Sequence, residues 1–187
     1  MKDEDYQYAY HQILRLHSRR LVVDDLNKRI VSDQDHCNWK CITLASLEMK
    51  AVKAAMFEWP RYYPEGYSGI KKSWEHLYYL FQRKPANFNI AVWQHLDKGK
   101  VLRGLAFGDS PKGRTHLTIR WMERSYAPDY FRGGILLPIL ASAEQYGKLL
   151  GCKRVIIKEP HNFDEFTKYG YEIYNDPQFK GSVKKEI

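Results

Sequence analysis

A glycine-containing loop that opens a helix is the first feature of the sequence with the composition of a ligand site. Arg132, Gly133 and Gly134 follow Pro128 and precede residues 135–150, whose apolar side chains recur at helical spacing. The first turn of a helix has unpaired backbone N–H groups and the positive end of the helix dipole, so it suits a phosphate group. The alternative is a plain tight turn before a core helix.

A second candidate site follows from aromatic residues interleaved with cations. The segment Phe57–Tyr67 holds five aromatic residues and is closely followed by two lysines. Such a mixture can stack on nucleic-acid bases or enclose a cationic side chain, although the rings could equally pack helices together. The candidate ligand-binding side chains are Trp59, Tyr62, Tyr63, Lys71 and Lys72.

The cysteines give little support for a metal site. His36, Cys37 and Cys41 lie close together, but a single C-x₃-C spacing without a second half favours buried thiols over zinc. Cys152 stands at the start of a buried strand and is expected in the core. Because three cysteines do not form a disulfide framework, we expect a reducing, cytoplasmic environment and no bound metal.

The periodicity of the apolar residues predicts the elements that must position these groups. Helices are predicted at 6–20, 46–59, 70–82, 135–150 and 163–169. Strands are predicted at 39–44, 88–96, 101–107, 115–122, 153–157 and 171–174, with the last one final in the chain. Residues 24–34 are predicted to connect elements. The order indicates an α/β (α+β) fold, a mixed sheet flanked by helices.

Composition limits the classes of protein that this chain can join. The chain has 187 residues, a length that fits one globular domain. Its hydrophobic share of 44% excludes intrinsic disorder. We expect an N-terminal helical extension at 1–35 and a main domain at 36–187. The longest uncharged apolar stretch, 133–143, is about half the length of a membrane span. The acidic N-terminus has no apolar core after it, unlike a signal peptide.

The positive charge lies in the middle of the chain. The formal net charge is +8, and residues 36–124 hold 15 Lys and Arg against 7 Asp and Glu. Such a field concentrates anionic partners, which include nucleic acid, phosphorylated cofactors and acidic proteins. A solvated basic surface without a partner is the alternative.

The run from Pro128 to Ile157, together with the order of elements, resembles the GNAT superfamily of N-acetyltransferases. In that family a strand leads into a Pro-x-(Tyr/Phe) step and a glycine loop, which opens a long helix ending near Gly-Cys before a buried strand. Here these are Pro128, the loop at 132–134, and Gly151 with Cys152. The resemblance covers about residues 40–175 in the order of elements and 115–174 in residue detail.

This resemblance implies a GNAT-like, mostly antiparallel sheet that splays between the strand before the loop and the strand after the helix. The pantetheine arm of acetyl-CoA or a related acyl-CoA would lie between residues 115–124 and 153–157. The residues implied at the cofactor are Met122, Arg124, Ser125, Arg132, Gly133, Gly134 and Ile135.

The chain departs from the family pattern in the loop and near the C-terminus. Phe131 stands where the family has Gln or Arg, and Leu136 stands at its final Gly or Ala. Phe166 replaces the tyrosine that protonates the departing thiolate, which leaves Tyr169 or Tyr171 as substitutes. The final helix is also shorter than usual in the family.

Direct transfer to an amine requires a base, and Glu123 is the only acid in the strand before the loop. It would act directly or through water, with Tyr126 beside the thioester pocket. An ion pair of Glu123 with Arg120 or Arg124 is the alternative role.

The sequence thus predicts an acyl-CoA-dependent N-acyltransferase whose acceptor is a protein amine, an aminoacyl-tRNA or a small molecule. The alternative is a catalytically altered GNAT-fold module that acts on or binds nucleic acid. A similarity to the Mom family of phage DNA-modifying proteins, carried by Phe107-Gly108-Asp109 and the Arg-rich strand, supports that alternative. A homodimer through residues 1–35 is also open.

Overall fold

The computed structural model describes residues 3–28, 39–128 and 134–187. Its helices are α1 (Asp3–Lys28), α2 (Met49–Glu58), α3 (Trp74–Phe81), α4 (Leu136–Leu150) and α5 (Asp164–Thr167). Its strands are β1 (Ile42–Ala45), β2 (Asn87–Leu96), β3 (Gly99–Asp109), β4 (Leu117–Arg124), β5 (Arg154–Ile157), β6 (Glu172–Tyr174) and β7 (Ser182–Glu186). Short 3-10 helices cover Trp39–Cys41, Trp59–Tyr62 and Pro177–Phe179.

The seven strands form one sheet in the order β1-β2-β3-β4-β5-β7-β6. Every neighbouring pair is antiparallel except β4 and β5, which run parallel because α4 forms the connection between them. This architecture confirms the predicted mixed, mostly antiparallel sheet flanked by helices.

The sheet opens between β4 and β5. Their pairing extends only from Leu117 opposite Val155 to Ile119 opposite Ile157. A register shift then places Arg120 as an extra residue of β4, because Phe107 faces Trp121 while Gly108 faces Ile119. β4 remains paired with β3 as far as Arg124, whereas β5 ends at Ile157. The two strands therefore diverge, as the resemblance implied.

Helices bury both faces of the sheet. On one face α1 and α4 pack against β2, whose Ile90 and Val92 point to that side. On the other face α2 and α3 pack against Ala91 and Trp93, the alternate residues of the same strand. The site between β4 and β5 is thus supported by two well-packed layers.

Helix α1 is longer than the sequence predicted. Val22 and Leu26, one helical turn apart, are both buried in the core on the α4 side and extend the helix to Lys28. The prediction that residues 24–34 connect elements was therefore wrong for Asp24–Lys28, and its remaining part lies outside the described residues. The strand predicted at 39–44 begins only at Ile42.

The C-terminal region contains a strand that the sequence did not indicate. β7 inserts between β5 and β6, so the prediction of residues 171–174 as the final strand was wrong. Its sequence, Ser-Val-Lys-Lys-Glu, is mostly polar, and only Ser182 and Val183 are buried. Helix α5 covers four residues instead of the predicted seven. Within the described ranges, no helix is long and apolar enough to cross a membrane.

Candidate active site

The divergence of β4 from β5 opens a cavity of about 670 Å³, which we call the cleft. One wall is β4, from Ile119 to Arg124, and the opposite wall is the segment that follows β5, residues 157–162. The loop at 66–71 also lines the cleft. The first turns of α4 and residues 165–169 complete the lining.

Glu123 lies in the wall of the cleft and is only 4% exposed. Its carboxylate accepts three hydrogen bonds from side chains that are distant in the sequence. The hydroxyls of Tyr63 and Tyr67 donate to Oε1 at 2.7 and 3.2 Å, and Nε1 of Trp74 donates to Oε2 at 2.6 Å. Both oxygens of the carboxylate are therefore held in fixed directions.

The arginines near Glu123 have other partners. Nε of Arg120 donates to Oδ1 of Asp109 at 2.6 Å, and the guanidinium of Arg124 lies 5.1 Å from the ring centre of Tyr126. The alternative that Glu123 forms an ion pair with one of them is wrong, because tyrosine and tryptophan donors surround it.

Three tyrosine rings cluster beside the carboxylate. The ring centres of Tyr63 and Tyr67 are 5.0 Å apart, and those of Tyr67 and Tyr126 are 5.3 Å apart. Tyr67 and Tyr126 line the cleft. Burial, reinforced by Glu123, raises the pKa of Tyr63 and of Tyr67 well above the usual value, so both hydroxyls remain protonated donors at neutral pH.

Gly69 leaves the space in which these side chains meet. Its φ is +86°, and a Cβ there would lie 3.0 Å from the Tyr63 hydroxyl and 3.4 Å from Oε1 of Glu123. A residue with a side chain would be strained at this φ and would crowd the Tyr63 hydroxyl, with its Cβ in contact with the carboxylate.

The residues implied at the cofactor are partly gathered at the cleft. Met122, Arg124 and Ile135 line it. Ser125 is buried beside it, where its N–H donates to the carbonyl of Arg103 at 2.8 Å. Gly134 directly precedes the first turn of α4, and its carbonyl accepts from the Leu137 N–H. Arg132 and Gly133 lie outside the described residues.

The free edge of β4 fits an extended ligand with amide groups, whereas the residue at the start of α4 departs from the family pattern. The edge of β4 beyond Ile119 faces the cleft without a paired strand among the residues that the structure describes, so its backbone groups can bond a ligand. Leu136 lines the cleft at the start of α4, where the family pattern has a small residue.

The predicted acceptor-binding residues separate into two groups. Lys71 lines the cleft, Tyr63 reaches Glu123, and Nζ of Lys72 lies 6.0 Å from the ring centre of Trp121. Tyr62 is 46% exposed and does not line the cleft.

Trp59 was wrongly predicted at the acceptor site. It is only 1% exposed in the core between α2, α3 and the sheet, where its Nε1 donates to the carbonyl of Leu102 at 3.2 Å. The composition of a segment that mixes aromatic residues with cations does not reveal which of its rings face a ligand and which face the core.

The tyrosines near the C-terminus also differ from each other. Tyr169 lines the cleft together with Phe166. Tyr171 is buried instead, and its hydroxyl donates to Oε1 of Glu144 at 3.3 Å. Tyr171 is therefore not available as a substitute proton donor, whereas Tyr169 lies in the lining of the cleft.

Sequence reasoning missed Tyr67, Gly69 and Trp74. Tyr67 belongs to the aromatic segment but was not selected, and Trp74 was assigned only to the buried face of a helix. Gly69 has a positive φ in the loop before α3. In the sequence, the presence of Pro64, Gly66 and Gly69 indicated a loop there but did not indicate a contact with Glu123.

No group of three or more metal-ligating side chains occurs in the ranges 3–28, 39–128 and 134–187. Cys41 and Cys152 are free thiols, and Cys152 is buried as predicted. His36 and Cys37 lie outside these ranges.

No protein-family model matches the sequence, and no curated protein matches it either. Solved structures do match. A GNAT-family protein from Desulfovibrio desulfuricans is 10% identical with a TM-score of 0.53, over 78% of this chain and 98% of that one.

Two further structures have a TM-score of 0.50. Ard1 from Thermoplasma volcanium is 12% identical over 79% of this chain and 98% of its own. The aminoglycoside 6'-N-acetyltransferase from Enterococcus faecium is 13% identical over 77% of this chain and 96% of its own. The chain therefore has the fold of the GNAT N-acetyltransferases, as the resemblance implied.

Proposed function

We propose that this protein is an acyl-CoA-dependent N-acyltransferase that transfers an acetyl or similar acyl group directly to an amine. The observation that carries the proposal is the cleft between β4 and β5, with a buried carboxylate in its wall. The fold is that of enzymes with this chemistry, and the cleft lies between β4 and β5, the two strands between which the family resemblance implies the pantetheine arm.

The unpaired edge of β4 would hold the pantetheine arm. Backbone groups from Met122 to Arg124 face the cleft and can bond amides as a neighbouring strand would. The first turn of α4, next to Ile135, would face the pyrophosphate with its free N–H groups. Lys71 of the loop at 66–71 and Arg124 at the end of β4 add positive charge to the same cleft.

Acyl-CoA supplies the thioester. A neutral amine then forms the new C–N bond at the carbonyl carbon, the C–S bond breaks, and sulfur keeps the electron pair. The amine must lose a proton, and Glu123 would accept it. Tyr67 both lines the cleft and donates a hydrogen bond to Glu123. Its hydroxyl would therefore give its own proton to Glu123 while it takes the proton of the amine.

The departing sulfur needs a proton in return. Tyr169 lines the opposite part of the cleft and would donate it. Phe166, at the position of the family tyrosine, lines the same wall but has no proton to give.

The test is release of free thiol from acetyl-CoA in the presence of a panel of amines, with Glu123→Gln as the variant. General-base catalysis typically contributes about 100- to 10,000-fold, so kcat should fall by that order. Glu75→Gln, an exposed acid next to Trp74 on α3, removes the same charge outside the cleft and should keep wild-type kcat. Wild-type turnover in Glu123→Gln would refute the assigned base.

An acceptor carried on nucleic acid is a second candidate, favoured by Lys71, Arg120 and Arg124 in the lining of the cleft. Combined Lys71→Gln and Lys72→Gln should weaken RNA or DNA binding and lower its salt dependence. The exposed lysines Lys98 and Lys112, changed together, are the matched control. Equal binding by both double variants would eliminate this candidate.

A further inference from the structure

Helix α1 carries large apolar side chains on the face that points away from the sheet. Five of them are between 39% and 64% exposed, and we call this set the outward stripe: Tyr6, Tyr10, Ile13, Leu16 and Leu21. Successive members are three to five residues apart, so they lie on one side of the helix. Single exposed apolar residues are ordinary, whereas a contiguous apolar patch marks an interaction surface.

The opposite face of α1 is polar for a face that packs on a core. Its buried side chains are His11, Arg15, Ser18 and Arg19 in the middle of the helix, with Val22 and Leu26 nearer its end. A helix on the surface of a monomer has the reverse pattern, with its apolar side inward and its polar side in water. The outward stripe therefore has the composition of a covered face, although no described residue covers it.

The outward face of α1 also repeats at the spacing of a helix pair. Exposed residues separated alternately by four and three positions follow one line along it: Tyr6, Tyr10, Ile13, His17 and Arg20. A period of about 3.5 residues is that of the seam along which two helices pack side by side. Helix α1 has 26 residues and is about 39 Å long, so the seam covers several turns. The stripe therefore fits another helix of similar length.

We propose that the outward stripe is a dimer interface, in which α1 of a second copy of this chain packs antiparallel with Ile13 at the twofold axis. A twofold axis brings the same patch of both copies together, so the stripe must be complementary to itself. When Ile13 faces Ile13, positions whose numbers add up to about 26 face each other.

The facing residues are complementary in charge and in polarity. Arg20 of one copy meets Asp5 of the other, and Leu21 of one copy meets Tyr6 of the other. All four side chains are exposed in the single chain. A parallel pair would instead set Arg20 against Arg20, and like charges repel. The charges therefore favour the antiparallel pair.

The size of the stripe suits a dimer. Its five side chains expose on the order of 500 Å² of apolar surface on each copy, and a stable interface buries about 800 Å² on each partner. Polar residues beside the stripe, such as His17 and Arg20, supply the remainder. A membrane is a poorer partner, because Asp5 and Asp24 are exposed along this side of α1 and anionic lipid would repel them.

The experiment is sedimentation equilibrium of the full chain over a range of concentrations. We expect a species of twice the 22.2 kDa of one chain, with a dimer Kd of about 10 μM or tighter. Ile13→Glu places two like charges at the twofold axis and should weaken the dimer roughly 100-fold. Ile173→Glu makes the same change on β6, where the isoleucine is 61% exposed against 64% for Ile13, and should dimerise like the wild type.

A charge exchange tests the antiparallel register. Arg20→Glu should weaken the dimer, because two acids then face each other, and adding Asp5→Lys to it should restore the wild-type Kd. Because these residues are exposed, the variants should fold like the wild type. A double variant that stays as weak as Arg20→Glu would contradict this register.

Two further results would overturn the proposal. One is a mass of a single chain at every concentration up to about 200 μM, whether or not that monomer binds vesicles of phosphatidylcholine and phosphatidylserine. The other is equal dimerisation by Ile13→Glu and the wild type, which would mean that the copies meet through another surface.

Discussion

Nε1 of Trp74 donates to Oε2 of Glu123 at 2.6 Å, and this bond joins helix α3 to strand β4 at the wall of the cleft. The other oxygen of the same carboxylate accepts from the two tyrosines of the preceding loop. Glu123 is thus oriented from two separate elements, which is the arrangement that a positioned base requires.

Loss of the indole donor of Trp74 should lower both stability and kcat, whereas loss of a buried indole donor away from the cleft should lower stability alone. In Trp74→Phe, Glu123 loses a charge-assisted bond, which should cost about 1.5–3 kcal/mol of stability and lower kcat roughly 10- to 100-fold. Trp59→Phe makes the same change at an equally buried site whose Nε1 bonds a backbone carbonyl. It should lose stability and retain kcat. Denaturant unfolding and thiol release measure the two quantities, and equal kcat values would contradict this role for Trp74.

The two C-terminal tyrosines should behave differently. Tyr169→Phe should lower kcat and leave the Kd for acetyl-CoA unchanged, because the role proposed for the hydroxyl is only to protonate the departing thiolate. Tyr171→Phe removes the hydroxyl that bonds Glu144 in the core and should cost about 1 kcal/mol of stability with kcat unchanged. Steady-state kinetics and calorimetry compare the variants. If Tyr169→Phe turns over like the wild type, another group protonates the sulfur.

Replacement of Gly69 tests how closely the loop fits the carboxylate. Gly69→Ala and Gly66→Ala both force a side chain into positive φ, at a cost of about 1–2 kcal/mol each. Only at Gly69 would the new Cβ also meet Tyr63 and Glu123, whereas the space at Gly66 is empty within 4 Å. Gly69→Ala should therefore be the less stable variant in thermal unfolding. Equal melting temperatures would show that the loop can move away from Glu123.

Stability should fall in alkaline solution because buried phenols resist ionisation. The pKa of Tyr63 is raised above its ordinary value of 10.0, chiefly by burial and then by Glu123. Its contribution to the free energy of unfolding is complete below about pH 10 and is lost as the pH rises from there toward the folded-state pKa. Burial also raises the pKa of Tyr146 to about 12, with the same sign.

In Tyr63→Phe the free energy of unfolding should therefore fall less steeply above about pH 10 than in the wild type. Tyr79→Phe removes a phenol that is 54% exposed and should keep the wild-type slope. Denaturant unfolding at several alkaline pH values gives these slopes. Identical slopes in the two variants would mean that Tyr63 does not resist ionisation in the folded protein.

Periodicity predicted the central elements of the fold well. Strands β2, β3 and β4 and helix α4 lie within a few residues of their predicted bounds, because their apolar residues alternate or recur against a buried layer. β7 escaped prediction because it is polar and pairs with β5 and β6 through its backbone. Helix α1 extends further than predicted because two apolar residues, Val22 and Leu26, hold an otherwise polar turn against the core.

The candidate site was harder to predict than the fold. Glu123 could be selected as the only acid of its strand, but its three donors come from positions 49 to 60 residues away, which no local spacing connects. Trp59 and Tyr63 have similar sequence surroundings, yet the chain turns one into the core and the other toward Glu123. The side of a loop that faces a ligand is decided by tertiary packing, which cannot be read from the composition of the loop.

Calorimetric titration of the purified protein with acetyl-CoA tests the central claim most directly. We predict binding in the micromolar range, which corresponds to about −8 kcal/mol, and a higher melting temperature at saturation. Absence of heat and of any melting shift up to about 1 mM ligand would contradict the claim that the cleft between β4 and β5 holds an acyl-CoA.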